Sequence, residues 1–169
     1  MSKSDYGTIT LEDYSVDVKK IIKDKAIQFL QEAGEEVLNA TIRNYDRAGT
    51  DTGQTKGSFS TNLDEGNLAV HIGSDFQNAI WEEFGTGEFA EKGDGRKGWW
   101  VFVKGSSKGT GGKVYTTKDE AKKAMAILRK KGLDAYYTRG KHARHQFRNA
   151  YTSTKNKIIK HAQQVFGGI

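Results

Sequence analysis

The chain has 169 residues, enough for one domain or one domain with an insertion. It has no cysteine, which excludes disulfides and thiolate metal sites and fits synthesis in a reducing cytosol, and no apolar run approaches the ~20 residues of a membrane-spanning helix, so no membrane partner is expected. The net charge of +6 is unevenly spread: residues 1–90 sum to −8, residues 91–169 to +14, and no acid follows Asp134. Such polarity suits nucleic-acid binding by the basic half, or attraction between copies of the chain head to tail.

Residues 1–14 show no sustained period and no apolar run, so they are expected to form an arm without a signal peptide. From Ser15 to about Arg47 apolar residues fall at helical spacing: Val18, Ile21, Ile22, Ala26, Phe29, Leu30, Ala33 and Val37, with Thr41 and Tyr45 continuing the stripe. A long helix is predicted, with Ile21, Phe29, Leu30 and Val37 buried. Gly34 inside it costs about 1 kcal/mol of helix propensity. The next stretch, 51–74, reads as a hairpin. "GSFSTNL" alternates, Asp64-Glu65-Gly66-Asn67 turns, and "LAVHIG" returns, with Phe59 and Leu63 on one face.

"NAIWEEFGTGEF", residues 78–89, sets two carboxylates beside large aromatics and a Gly-Thr-Gly turn. "GWWVFV" then reads as a strand, and the low-complexity loop Lys104 to Lys113 is expected to be mobile. "TTKDEAKKAMAILRKKG" is a short helix with Thr117 as its N-cap and Gly132 as its stop; Ala121, Ala124, Met125 and Leu128 line its apolar face. "DAYYT" is another strand. Strand, helix and strand form a small α/β unit from about Trp99 to Thr138. A last helix is predicted from Ala143 to Phe166, with a core stripe of Phe147, Ala150, Tyr151, Thr154, Ile158, Ala162 and Val165. Arg144, Arg148 and Lys155 fall on an adjoining stripe.

Few of the motifs suggest chemistry. The triplet Asp51-Thr52-Gly53 matches the catalytic triplet of aspartic proteases, but no apolar strand precedes it to bury a proton-sharing dyad. The glycines before Lys113 resemble a phosphate loop, yet Ser107 and Val114 stand where glycine and Ser or Thr are required. His142 and His145 lie in cationic surroundings that repel metal, so neither metal nor cofactor is expected. Glu82 and Glu83 are adjacent, so they diverge whether on a helix or a strand and cannot act as one acid–base pair.

Three pieces in order, "DTGQTKGSF", "AIWEEFGTG" and "YYTRGKHARHQFRNAY", resemble the small head–tail joining and tail-completion proteins of long-tailed bacteriophages. That family is named for phage HK ninety-seven gene product ten. The matching positions are Asp51, Thr52, Gly53 and Ser58; Glu83, Phe84, Gly85 and Thr86; then Gly140, Phe147 and Ala150. Thr55 stands where members usually carry leucine, and the insertion at about 104–135 has no counterpart in the shortest members.

The elements and the resemblance together imply an α+β fold over residues 15–169: a long N-terminal helix, an antiparallel β-sheet and a C-terminal helix, with the small α/β unit read from the chain itself as an insertion. The resemblance also implies a non-enzymatic virion component, made in the host cytoplasm and assembled as a ring, commonly of six copies, at the neck. Its neighbours there would be a head-completion or stopper protein and a tail-tube or terminator protein, with DNA passing through the channel. A tail terminator capping the tube and a basic nucleic-acid-binding protein are the alternatives. On this reading Trp81 and Phe84 pack their segment down, Gly85-Thr86-Gly87 turns the chain, and Glu83 is a structural or inter-subunit carboxylate. The charge split adds a further expectation, that Glu82 or Glu83 faces Arg144, Arg148 or Lys155 of the next copy, unless those cations face DNA instead.

Overall fold

The computed structural model describes residues 15–49, 53–105 and 112–167. The expected arm, Asp51 and Thr52, and most of the loop between Lys104 and Lys113 lie outside the described residues. The fold is α+β, with long helices at both ends of the described chain and short strands between.

Helix α1, Ser15–Ala48, and helix α5, Gln146–Phe166, form an antiparallel pair. Asn44 Nδ2 donates to the Gln146 carbonyl at one end, and the Phe29 ring meets Phe166 edge-on at 5.7 Å at the other. Between them Lys157 pairs with Glu36 and His161 with Glu32. The lengths do not match. At 1.5 Å per residue α1 is ~51 Å long and α5 ~32 Å, so the start of α1 overhangs its partner. Burial follows that geometry. Ala33, Gly34, Val37, Ala40, Thr41 and Tyr45 are buried, and Phe29 and Leu30 are half-buried. Ile21, expected in the core, is 54% exposed, and Val18 and Ile22 are exposed with it. The apolar period is intact there, but no described element covers it.

Gly34 has a structural reason. A Cβ at this position would stand 2.7 Å from Val70 Cγ2, so the bare backbone admits the hairpin against the helix. That hairpin is β1, Phe59–Asp64, paired antiparallel with β2, Ala69–Ser74. Phe59, Thr61 and Leu63 are half-buried and face the same way, as their alternation predicts. Asp64 sets the turn, its carboxylate accepting from the Gly66 and Asn67 backbone N–H groups. The start of the stretch read as a hairpin is instead a four-residue helix, α2, Gln54–Gly57.

The segment around the twin glutamates is also a helix, α3, Gln77–Phe84. After it come β3, Thr86–Gly87, and β4, Trp100–Val103. Helix α4, Lys118–Lys130, is followed by β5, Ala135–Thr138, and β6, Gly140–Lys141. The expected sheet is, among the described residues, three separate two-stranded antiparallel ladders: β1–β2, β3–β6 and β4–β5.

The α/β unit has its own small core. Val101, Ala121 and Ala135 are buried, and Met125, Leu128, Trp99 and Tyr137 pack around them. Thr117 and Glu120 form a reciprocal capping box at the start of α4, and Gly132 takes φ +80° just past its end, as the sequence predicts.

Candidate assembly site

The fold brings residues 82–91 and 139–148 into one joint. Strand β3 pairs with β6, Thr86 opposite Lys141 and Gly87 opposite Gly140. The Thr86 hydroxyl accepts the Lys141 N–H at 3.0 Å, and the Arg144 N–H donates to the Glu82 carbonyl at 2.7 Å. Gly85 ends α3 with φ +74°. A side chain there would be strained, and its Cβ would lie 2.6 Å from the Phe89 carbonyl oxygen. The turn expected at Gly85-Thr86-Gly87 is therefore present, and its purpose is to dock the chain against residues 139–143.

Glu83 is the centre of the joint. It is 9% exposed, and its two carboxylate oxygens accept the backbone N–H groups of Phe147 and Arg148 at 3.0 and 3.1 Å. These are orphan donors of the first turn of α5. His145, at the N-cap position, has left-handed φ 52° and supplies no side-chain cap, and the first turn has no acid of its own. Glu83 therefore caps α5 from another helix and places a negative charge on its positive dipole end. This explains why α5 starts at Gln146 and not at the expected Ala143. Residues 142–145 are drawn aside to dock on α3, and His142 stacks on Phe89 at 3.9 Å between centroids.

The charges expected to meet across a subunit boundary meet within one chain. Glu82 forms an ion pair with Lys141 and lies 3.6 Å from Arg144 Nε. Arg148 grips Glu91 through both terminal nitrogens, at 2.8 and 2.9 Å, and sits 3.6 Å from Glu83. That bidentate contact holds the Glu91 carboxyl below its ordinary range and the guanidinium above its own. The β3–β6 ladder is the cause, since it carries the acids of residues 82–91 to the bases of residues 139–148. Lys155 is exposed and has no carboxylate partner among the described residues.

The joint is tied to the rest of the fold by aromatics. Phe147 stacks on Phe59 at 6.0 Å, and Phe59 contacts Tyr45 at 5.5 Å. Burial pushes the Tyr45 hydroxyl up to about 12, with the charges of Glu82 and Glu83 adding to the shift. From the first motif piece, Gly53 takes φ +73° at the start of α2, and the Ser58 hydroxyl lies 2.6 Å from that of Ser74.

Two aromatics behave otherwise than expected. Trp81 and Phe84 do not pack their segment down: Ala79 and Glu83 are the inward residues of α3, while Trp81 is 44% exposed, Phe84 is 39% exposed and Ile80 stands in solvent with them. Phe84 is covered only in part, by the Arg148 guanidinium 5.7 Å from its ring centroid. Tyr151, expected in the α5 stripe, is also exposed, while Ala150 and Thr154 of the same stripe are buried as expected.

Glu83 spends both oxygens on backbone donors of α5, and Glu82 pairs with Lys141 and lies near Arg144, an arrangement suited to holding segments together. Among the described residues no three His, Asp or Glu side chains gather as metal ligands, and no helix is long and apolar enough to cross a membrane. No protein-family model, curated protein or solved structure matches the chain. Sequence reasoning missed the β3–β6 ladder and the cap in trans. The signal for both was an acid-free helix start at residues 143–149 in a chain whose nearest acid-rich stretch is residues 82–91.

Proposed function

We propose that this chain is a non-enzymatic structural component of a phage or prophage virion, assembling through contacts between its own copies into a ring at the neck that joins head to tail. The observation that carries the reading is a pair of apolar faces left bare by the fold. One is the overhanging start of α1, with Val18, Ile21 and Ile22; the other is the outer face of α3, with Ile80, Trp81 and Phe84. Two different patches on one chain suit a heterologous contact, which closes into a ring when its rotation fits. The motif residues then have an internal role. Glu83, Gly85, Thr86, Gly140 and Phe147 build the joint that fixes α3 and so presents its outer face. Buried apolar area holds such a ring, and charge guides the encounter.

Native mass spectrometry of the purified chain tests this. A closed oligomer is expected, six copies being the family's common number, and it should persist at high salt. Trp81→Ser combined with Ile21→Ser should give folded monomers. A parent chain that stays monomeric at tens of micromolar, or a double variant that still forms rings, would sink the proposal.

A further inference from the structure

The ion pairing that quiets the joint does not extend into the α/β unit. Residues 96–139 hold 12 lysines and arginines against three acids. All three acids are engaged locally. Asp119 lies 3.8 Å from Lys122, Glu120 closes the capping box, and Asp134 accepts the Tyr136 hydroxyl. Arg139 turns back to Glu88. Arg96, Lys97, Lys113, Lys118, Lys123, Lys130 and Lys131 face no carboxylate among the described residues.

The same unit leaves aromatic rings in water. Strands β4 and β5 turn Val101 and Ala135 toward α4, so their neighbours in register, Phe102 and Tyr136, point away from it. These two rings lie stacked, 5.7 Å apart and 25° from parallel, and are 39% and 40% exposed. Arg129 sits over Tyr136 at 5.2 Å, and Arg96 over the neighbouring Trp100 at 5.3 Å. Along the chain Lys130 and Lys131 precede β5 by five and four residues, and Lys97 precedes β4 by three.

We infer that this open face of β4–β5 binds single-stranded nucleic acid, with bases stacking on Phe102 and Tyr136 and phosphates meeting the unneutralised lysines and arginines. The two halves of the observation need each other. An acidic protein surface would use the cations and leave the rings bare. Duplex DNA would meet the cations with its phosphates but keep its base faces stacked inside. A strand with open bases uses both, since every base has a face to stack and every linkage a charge. The inference needs only one copy of the chain and does not rest on ring assembly.

Fluorescence anisotropy of the full chain with a labelled oligothymidylate of about 20 nucleotides, and with a duplex of equal length, is the test. Expected is tighter binding to the single strand, weakening steeply between about 50 and 200 mM salt. Phe102→Leu and Tyr136→Leu keep apolar volume but remove the stacking face, and each should weaken single-strand binding roughly 5- to 100-fold while sparing the duplex. Tyr136→Phe should bind like the parent. Lys130→Gln with Lys131→Gln should weaken both ligands and flatten the salt slope by about 1–2. No binding at low salt would overturn the inference. So would Phe102→Leu binding the single strand as tightly as the parent, or equal affinity for duplex and single strand, either of which reduces the face to a polycation.

Discussion

The two halves of α1 carry one hydrophobic period and meet opposite fates. From Ala33 to Tyr45 the stripe is sealed by α5 and the β1–β2 hairpin; from Ser15 to Lys25 every residue is exposed. Nothing in the spacing of apolar residues distinguishes the halves. The difference is set by the length of the partner, because α5 runs out where Phe166 meets Phe29. Periodicity states that a face is meant to be covered, but not whether the cover lies in the same chain.

Substitutions along the helix should trace this boundary. The largest effect is expected at the sealed end. Tyr45 is 3% exposed against Phe59, and Tyr45→Ala should cost about 3–5 kcal/mol in urea unfolding, with the midpoint falling accordingly. A leucine truncated in a sealed core costs ~2–5 kcal/mol, and Leu30 is half-buried at the boundary. Its partial exposure lowers the expected loss for Leu30→Ala to about 1–2 kcal/mol. A loss as large as that of Tyr45→Ala would mean that the seal extends further than the helix pair shows.

The boundary also carries a pH dependence. Glu32 is held below its ordinary value of 4.5, chiefly by the Gln28 amide and then by His161 across the helix pair. A carboxyl with a lowered folded pKa contributes stability above its unfolded pKa and loses it as pH falls through the folded one. A small loss of stability is therefore expected below pH ~4.5, and Glu32→Gln should flatten that part of the curve. An unchanged slope in the variant would remove Glu32 from the seal. The smallest effect on folding belongs to the overhang. Ile21→Ser should leave the unfolding free energy of dissociated monomers, measured in urea, within about 0.5 kcal/mol of the parent. A monomer destabilised by several times that amount would show that the stripe is covered within the chain.

The elements legible in the sequence are those whose causes are local. Helix α4 carries its start in Thr117 and Glu120 and its stop in Gly132, all within or beside the helix. The β1–β2 turn carries its cause in Asp64. The joint was not legible because its determinants are distant. The start of α5 is set by Glu83, 64 residues upstream of Phe147, and the two-residue strands β3 and β6 are too short to leave any pattern. The fate of Trp81 was misread for a related reason. The resemblance implied that it packs its segment down, but α3 turns the small Ala79 and the charged Glu83 inward, where Glu83 caps α5.

The ladder in which Gly87 faces Gly140 has a consequence for how such a chain changes over time. The α/β unit from Trp99 to Thr138 departs and returns beside this ladder, whose two backbones lie about 5 Å apart, while Phe89 and Glu91 stay held by His142 and Arg148. The excursion has a core of its own in Val101, Ala121 and Ala135. A deletion or transplant confined to residues 99–138 would therefore resemble, for the rest of the molecule, exchanging one loop for another, and loop-closure entropy changes only slowly with length. The unit can then be shortened or replaced as a cassette while the residues that build the ladder are left in place.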